Sequence, residues 1–280
     1  MAIEEQLAKL RAGVESWNEW RESTPDVPID LSQANLSNAV LTGANLNGAN
    51  LSRVNFIGAT LSEANLTQAD LSRADLSGAD VNKANLTGAI LTGANLLGAD
   101  LAQTILSRAV MAGVNLNRSD LSNVNLSECD LSKASLIGVE MSRADLSGAN
   151  LSGANLKRAE LQRTKLARAN LADATLADAR LLSADLGDAN LAGANLQGAR
   201  LNRANLAKAK LAKANLREAN LLGTNLTAAV FTEAQLNQVN FSGANLTATT
   251  LQGADIEGAL LEGATLQDTI MPDGTVRSAS

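Results

Sequence analysis

The sequence has no histidine, no tyrosine, one cysteine and three prolines in 280 residues, and its aromatics are two tryptophans and three phenylalanines. Each scarcity excludes something. Without histidine the commonest general base and metal ligand is missing, and no Ser-His-Asp set can be assembled. One cysteine allows neither an internal disulfide framework nor a thiolate cluster for a metal. There is no GxxxxGK[ST] phosphate loop and no run of about 18 apolar residues to span a bilayer. The first residues, MAIEEQLAKLRAG, lack the apolar run of a secretory signal. The expectation is a soluble, cytoplasmic protein of net charge −6 that is not an enzyme and holds no metal and no cofactor.

What the chain does have is a beat of five. From Leu31 to Leu266 every fifth residue is Leu, Phe, Val, Met or Ile, which makes 48 pentapeptides over residues 31–270, 41 of them centred on Leu. In an α-helix five residues advance about 500°, so these leucines would smear around the cylinder. In a strand, whose side chains alternate with period two, the beat would change face at every repeat. The pattern buries its leucines only if the chain turns a corner every five residues around a common axis, which is a solenoid.

The other positions agree. Two places before the centre stands Ala in 36 of 48 units, and otherwise Val, Thr, Ser or Cys, with Ile29 before the first centre, so this position also faces a narrow interior. Cys129 occupies it and reads as a buried alanine substitute rather than a reactive thiol. The residue just before the centre is Asn or Asp in 30 of 48; these short side chains bond nearby backbone and favour turns. Eighteen of the 21 glycines lie two places after the centre, where a corner often calls for positive φ.

The unit Ala-(Asn/Asp)-Leu-Ser-Gly, as in Ala149-Asn150-Leu151-Ser152-Gly153, resembles the motif of the pentapeptide-repeat family over residues 31–270. The resemblance implies an all-β fold, a right-handed quadrilateral β-helix with four pentapeptides per coil and about twelve uninterrupted coils. At about 4.8 Å per coil the rod would be nearly 60 Å long. The four-sidedness comes from the resemblance, since the sequence itself shows only the five. WNEWRES before the first repeat and IMPDGTV after the last are similar to cyanobacterial members.

The expected organisation is residues 1–27 as helical cap and proline-containing linker, 28–270 as the repeat rod and 271–280 as a tail. Residues 3–23 place Leu7, Leu10, Val14 and Trp17 at helical spacing, with Trp20 or Arg21 continuing the stripe, and Pro25 and Pro28 stop the helix. An amphipathic helix covering the first coil is the expectation. A partner-binding or membrane-surface helix is the alternative, and its acidic flanks (Glu4, Glu5, Glu15, Glu19, Glu22) speak against anionic lipid. At the other end Met271-Pro272-Asp273-Gly274 reads as a turn. Either the tail folds over the last coil (Ile256, Leu260, Leu261, Leu266, Ile270) or that coil is buried in a homodimer.

Function is then sought on the surface. Residues 1–156 carry net charge −7, residues 157–218 net +6 and residues 219–280 net −5. This basic belt reads either as ordinary solvated surface or as charge patterning that sets partner register. With four repeats per coil, residues twenty apart stack. One such column runs Asp80, Asp100, Asp120, Glu140, Glu160 and then Arg180, Arg200, and it is the candidate partner-binding face. Ile57, Leu97 and Ile137 would share an outward column, and Leu182 and Leu222 another.

The leading expectation is a non-enzymatic scaffold for protein–protein interaction. The runner-up comes from the resemblance, because some family members mimic DNA and bind type II topoisomerase. A basic belt is a poor copy of a polymer with one negative charge per about 1.7 Å. Direct nucleic-acid binding through the belt ranks lower still, because the belt has no aromatic side chains for base stacking.

Overall fold

The structure is a computed structural model, described over residues 2–277. Parallel bridges join each residue just before a centre to the one twenty places on, from Asp30↔Asn50 without a break to Thr250↔Ile270. Twenty residues therefore make one coil, and four pentapeptides make its four sides. Nearly all central residues and those two before them are buried, from Leu31 to Ala254, and form one continuous core. Phe56, Phe231 and Phe241 are among its largest fully buried side chains, the last two packed edge to face.

The regularity follows from where the five N–H groups of a repeat go. In the repeat around Leu51, the N–H of Leu51 and that of Arg53 donate to Asp70 and Ser72 on the next coil, and that of Asn50 donates back to Ile29. The N–H of Val54 closes a turn on the carbonyl of Leu51. The fifth, of Ser52, is taken by the side chain of Asn50 at 3.1 Å. The Asn or Asp before each centre thus supplies the acceptor that no backbone group provides, and the same bond recurs at Asp70, Asp100, Asp145 and Asn215.

Position two after the centre lies in the left-handed region throughout, near φ +60°, whether it is glycine or not. Arg158, Glu128 and Ala228 hold φ of 58°, 60° and 58° there. Glycine is preferred at this corner and is not required, because the ladder bonds on either side fix the turn. Gly187, one place earlier in the repeat, shows no positive φ.

Where the interior position carries a hydroxyl or thiol it bonds the core backbone. Thr104, Ser119, Thr164, Thr224 and Thr249 each donate to a carbonyl 23 residues earlier, at 2.7–3.1 Å. The Cys129 thiol does the same with Leu106 at 2.9 Å, and burial pushes its pKa up to about 11.

The N-terminal segment is two helices rather than one. Helix α1 spans Glu4–Ala12 and α2 spans Val14–Ser23, separated by Gly13 at φ 139°, ψ 152°. A straight helix of twenty residues would run about 30 Å in a line, whereas the bend lets both halves lie against one coil. Arg11 of α1 donates to the carbonyl of Asn35, and Trp17, Asn18 and Arg21 of α2 donate to those of Asn45, Gly43 and Asn47. Leu7, Leu10 and Trp17 are buried, while Val14 is half-buried and Trp20 packs at a tilt of 49° against Trp17. Arg21 is buried as well, and desolvation lowers its pKa.

At the far end Leu251 donates to the carbonyl of Ile270, and a two-residue strand β1 (Thr269–Ile270) pairs antiparallel with β2 (Val276–Arg277). The intervening Met271–Gly274 is a turn, closed by the N–H of Gly274 on the carbonyl of Met271. Ile256, Leu261 and Leu266 are only half-buried. Leu260 and Ile270 differ from the sequence expectation in pointing outward, as any residue just before a centre must, and Leu260 is 56% exposed.

Candidate partner-binding face

Each side of the rod shows solvent the residues one before, one after and two after the centre. The side centred on residues 41, 61 and so on to 261 carries the charged column. Its bridges run Val40, Thr60, Asp80, Asp100, Asp120, Glu140, Glu160, Arg180, Arg200, Asn220, Asn240 and Leu260 in unbroken order. All seven residues expected to stack therefore do so as neighbours on successive coils, and Leu182 and Leu222 lie on this same side, 45% and 42% exposed.

The carboxylates are held, not loose. Asp80 accepts from the hydroxyl of Ser62 at 2.5 Å and from the N–H of Asn82 at 3.0 Å. Asp100 and Asp120 accept from the N–H of Ala102 and Ser122 at 2.9 and 2.8 Å. Where the column changes sign, Glu160 pairs with Arg180 at 3.3 Å and also accepts from Gln162. Beside this junction Arg158 approaches Asp178 at 4.0 Å, and the residues around them enclose a shallow groove of about 340 Å³ that Arg200 also lines.

Three residues beyond the carboxylates, at the corner of the same side, stands a second column with Lys83, Arg143, Arg163 and Arg203. Lys83 pairs with Glu63 at 3.7 Å. Among the described residues Asp80, Asp100, Asp120, Glu140, Arg143, Arg163, Arg200 and Arg203 form no ion pair within 4.0 Å. The sequence reading followed one column and missed this second one. The signal was present, since Arg143, Arg163 and Arg203 recur at multiples of twenty.

The other sides are built differently. One carries an asparagine ladder in which Asn150, Asn170 and Asn190 each donate to the side chain one coil back, at 3.0–3.2 Å. Another alternates Asp145, Lys165 and Asp185, with the first two paired at 3.3 Å. Burial of Asp145 works to raise its pKa, but hydrogen bonds from Ser147 and the charge of Lys165 outweigh it and hold the carboxyl below its usual range. Ile57, Leu97 and Ile137 are exposed on a third side, separated by Ser77 and Asn117.

Among the described residues no cluster of three or more His, Cys, Asp or Glu side chains suits a metal ion, and no helix is long and apolar enough to cross a membrane. The sequence profile of the pentapeptide repeats matches in eight copies, over residues 29–68, 69–108, 115–153, 149–191, 184–223 and 224–263. The chain belongs to the pentapeptide-repeat family. That membership carries the right-handed quadrilateral β-helix with it. Three solved pentapeptide-repeat structures are similar. HetL of the cyanobacterium Nostoc sp. strain PCC 7120, involved in heterocyst differentiation regulation, is 32% identical over 99% of this chain and 100% of its own, with a TM-score of 0.33. Rfr23 of the cyanobacterium Cyanothece 51142 is 32% identical over 36% of this chain and 63% of its own, with a TM-score of 0.27. QnrB1, a plasmid-mediated fluoroquinolone resistance protein, is 16% identical over 73% and 89%, with a TM-score of 0.44. No curated protein sequence gives a significant match.

Proposed function

We propose that this pentapeptide-repeat protein is a rigid, non-catalytic scaffold of about twelve coils that meets a protein partner in the cytoplasm through its charged side. The carrying observation is the column from Asp80 to Arg200, in which most charges lack an internal partner. Five acids roughly 5 Å apart repel one another, which costs stability unless an opposing surface supplies positive charge. A repeat rod stays stiff because each coil is bonded to its neighbours, so the column is presented in fixed register without an ordering cost at binding.

The helix pair α1–α2 serves in this reading as the cap of the first coil, with Leu7, Leu10, Val14 and Trp17 as its apolar contacts. The half-buried last coil is the place where a second copy would dock end to end. That contact would be apolar and therefore insensitive to salt, and Leu261→Glu would abolish it.

The test is capture from host lysate with the protein and with a variant carrying Asp80→Asn, Asp100→Asn, Asp120→Asn and Glu140→Gln. A protein retained by the first bait and lost by the second supports the reading; identical recovery by both overturns the choice of side. Mimicry of DNA toward gyrase is the second reading, favoured by the evenly spaced acids and opposed by Arg180 and Arg200 in the same column. Absence of any effect on gyrase supercoiling at micromolar protein removes it.

A further inference from the structure

The charged column changes sign once, between Glu160 and Arg180, and the corner column beside it changes sign at the same height, between Arg158 and Asp178. The order is opposite. Acids precede bases on the side, whereas Arg118 and Arg158 precede Asp178 and Glu218 at the corner. Both columns border the one groove lined by Arg158, Glu160, Asp178, Arg180 and Arg200. Two copies can face each other through this strip about a two-fold axis that lies between them and crosses the rods at right angles. The rods then run antiparallel, the order of the columns is kept, and each column meets itself reversed. With the axis midway between the coils of Glu160 and Arg180, Glu160 faces Arg180 of the second copy, Glu140 faces Arg200, Arg158 faces Asp178 and Arg118 faces Glu218. Each pair occurs twice.

Neighbouring registers fail. Moving the axis by half a coil sets Glu160 and Arg158, or Arg180 and Asp178, each against its own copy. Moving it by a whole coil sets Glu140 against Glu160, or Arg180 against Arg200. In the favoured register Asp120 and Asp100 meet Asn220 and Asn240, whose amides can donate to a carboxylate. Gly138 meets Gly198, so the corner backbones can approach closely. The one like-charged meeting on this side is Arg143 with Arg203, at its far corner. We propose that the occupant of this side is a second copy of the chain, packed antiparallel about this axis. The proposal rests on the reading of the charged side as a contact surface and names what covers it.

Three observations support it. Among the described residues Arg118, Glu140, Arg200 and Glu218 are exposed and form no ion pair within 4.0 Å. Arg158–Asp178 and Glu160–Arg180 pair only along their columns, at 4.0 and 3.3 Å. Across the axis these four charges and their mates stand at the corners of a box with signs alternating along every edge, so each gains a further opposite neighbour. An isologous contact needs a surface that complements itself under a two-fold rotation, and the asparagine ladder, which carries no such change of sign, does not. All the pairs lie within about 12 Å of the axis at about 4.8 Å per coil. The six coils from Arg118 to Asn220 offer about 24 outward residues, within the roughly 20–30 a side that stable protein interfaces use. Helices α1 and α2 bond to carbonyls of residues 35–47 at the end of the rod and leave the strip open.

The experiment is sedimentation of the full chain across a micromolar concentration series at low and at high salt. The wild type is expected to be dimeric at low salt and to dissociate at about 1 M salt, where the Debye length falls to about 3 Å. Glu140→Arg alone and Arg200→Glu alone each set like charges opposite one another and should raise the dimer Kd at least about tenfold. The double variant Glu140→Arg, Arg200→Glu restores both pairs with the signs exchanged and should regain the dimer. Arg143→Glu turns the one repulsion into an attraction and should lower the Kd. Within the chain each reversal relieves a like-charged neighbour in its own column, so the fold is not weakened, and a thermal transition no lower than that of the wild type checks this. A wild type that stays monomeric at every concentration overturns the proposal, as does a dimer that ignores the single reversals. A monomer that still captures a partner through the acidic column overturns it while leaving the scaffold reading standing, so the two failures are separable. A salt-insensitive dimer lost on Leu261→Glu overturns it too and assigns association to the end of the rod.

Discussion

At the residue scale a repeat is a solution to hydrogen-bond accounting. Four of its five N–H groups find backbone partners, and the Asn or Asp before the centre takes the fifth. An Asp in that place titrates accordingly. The side-chain hydroxyl and the backbone N–H of Ser32 hold Asp30 below the usual carboxylate range, and Asp145 is lowered too. A folded-state pKa below the unfolded value of about 3.9 gives stability that is present above that value and is lost as pH falls through the folded one. The melting temperature is therefore expected to be flat from neutral pH down to about 4 and to fall below it. Asp145→Asn should show a shallower fall in the same series of calorimetric scans. Cys129 belongs at this scale as well. With its thiol buried against Leu106 and its pKa near 11, a disulfide reagent at pH 8 should label it only after denaturant is added. Rapid labelling of the native protein would place the thiol in reach of solvent.

At the scale of the coil, one seam is looser than the rest. The N–H groups of Leu101, Gln103, Leu106 and Arg108, which elsewhere in the pattern would donate to the next coil, find no backbone carbonyl there. Those of Asp120 and Asn125 do not reach back either, and the N–H of Asp130 does so only at 3.4 Å. The physical reason lies inside. Between residues 104 and 139 six of the eight interior positions are not alanine (Thr104, Val114, Ser119, Val124, Cys129 and Val139), against five in all the rest of the chain from Ala34 to Ala264. Larger side chains at the narrow position hold the coils apart, and Asp100 and Asp120 face each other across the gap. Amide hydrogen exchange should accordingly be fastest at Leu101, Leu106 and their neighbours, well ahead of Leu181 or Leu201, whose amides are bonded at 2.7 Å. Uniform protection along the rod would show the seam to be closed in solution. The core itself tolerates little: Leu146→Ala, at a fully buried centre, is expected to cost about 2–5 kcal/mol in a denaturant titration.

At the scale of the whole molecule, stability is a sum over coils and their interfaces, so the ends decide how unfolding starts. Both tryptophans lie in α2, with Trp17 fully buried against the rod. Tryptophan fluorescence therefore follows only this end, while circular dichroism follows the coils. The two midpoints are expected to separate, with fluorescence changing first. Coincident transitions would mean that the helix pair and the rod unfold as one unit.

The fold was legible because a period of five repeated 48 times admits one way to bury its leucines, and each position named its environment by size or by hydrogen-bonding capacity. Stacking of Asp80 through Arg200 followed from the same arithmetic once a coil was taken as four repeats. Three features were not legible. The break at Gly13 depends on where the first coil's carbonyls lie, which no helical periodicity encodes. The outward direction of Leu260 and Ile270 was hidden by their apolar character, although their place in the register assigned it. The arginine column beside the acids became a feature only when the side acquired two edges.

The sequence by itself determined the solenoid, its core and its corners, because these are local and repeat with the chain. Only the tertiary structure decided which charges share a side, which of them lack partners, and how the rod ends. Those depend on the twenty-residue closure of the coil, which brings together residues that no local pattern relates.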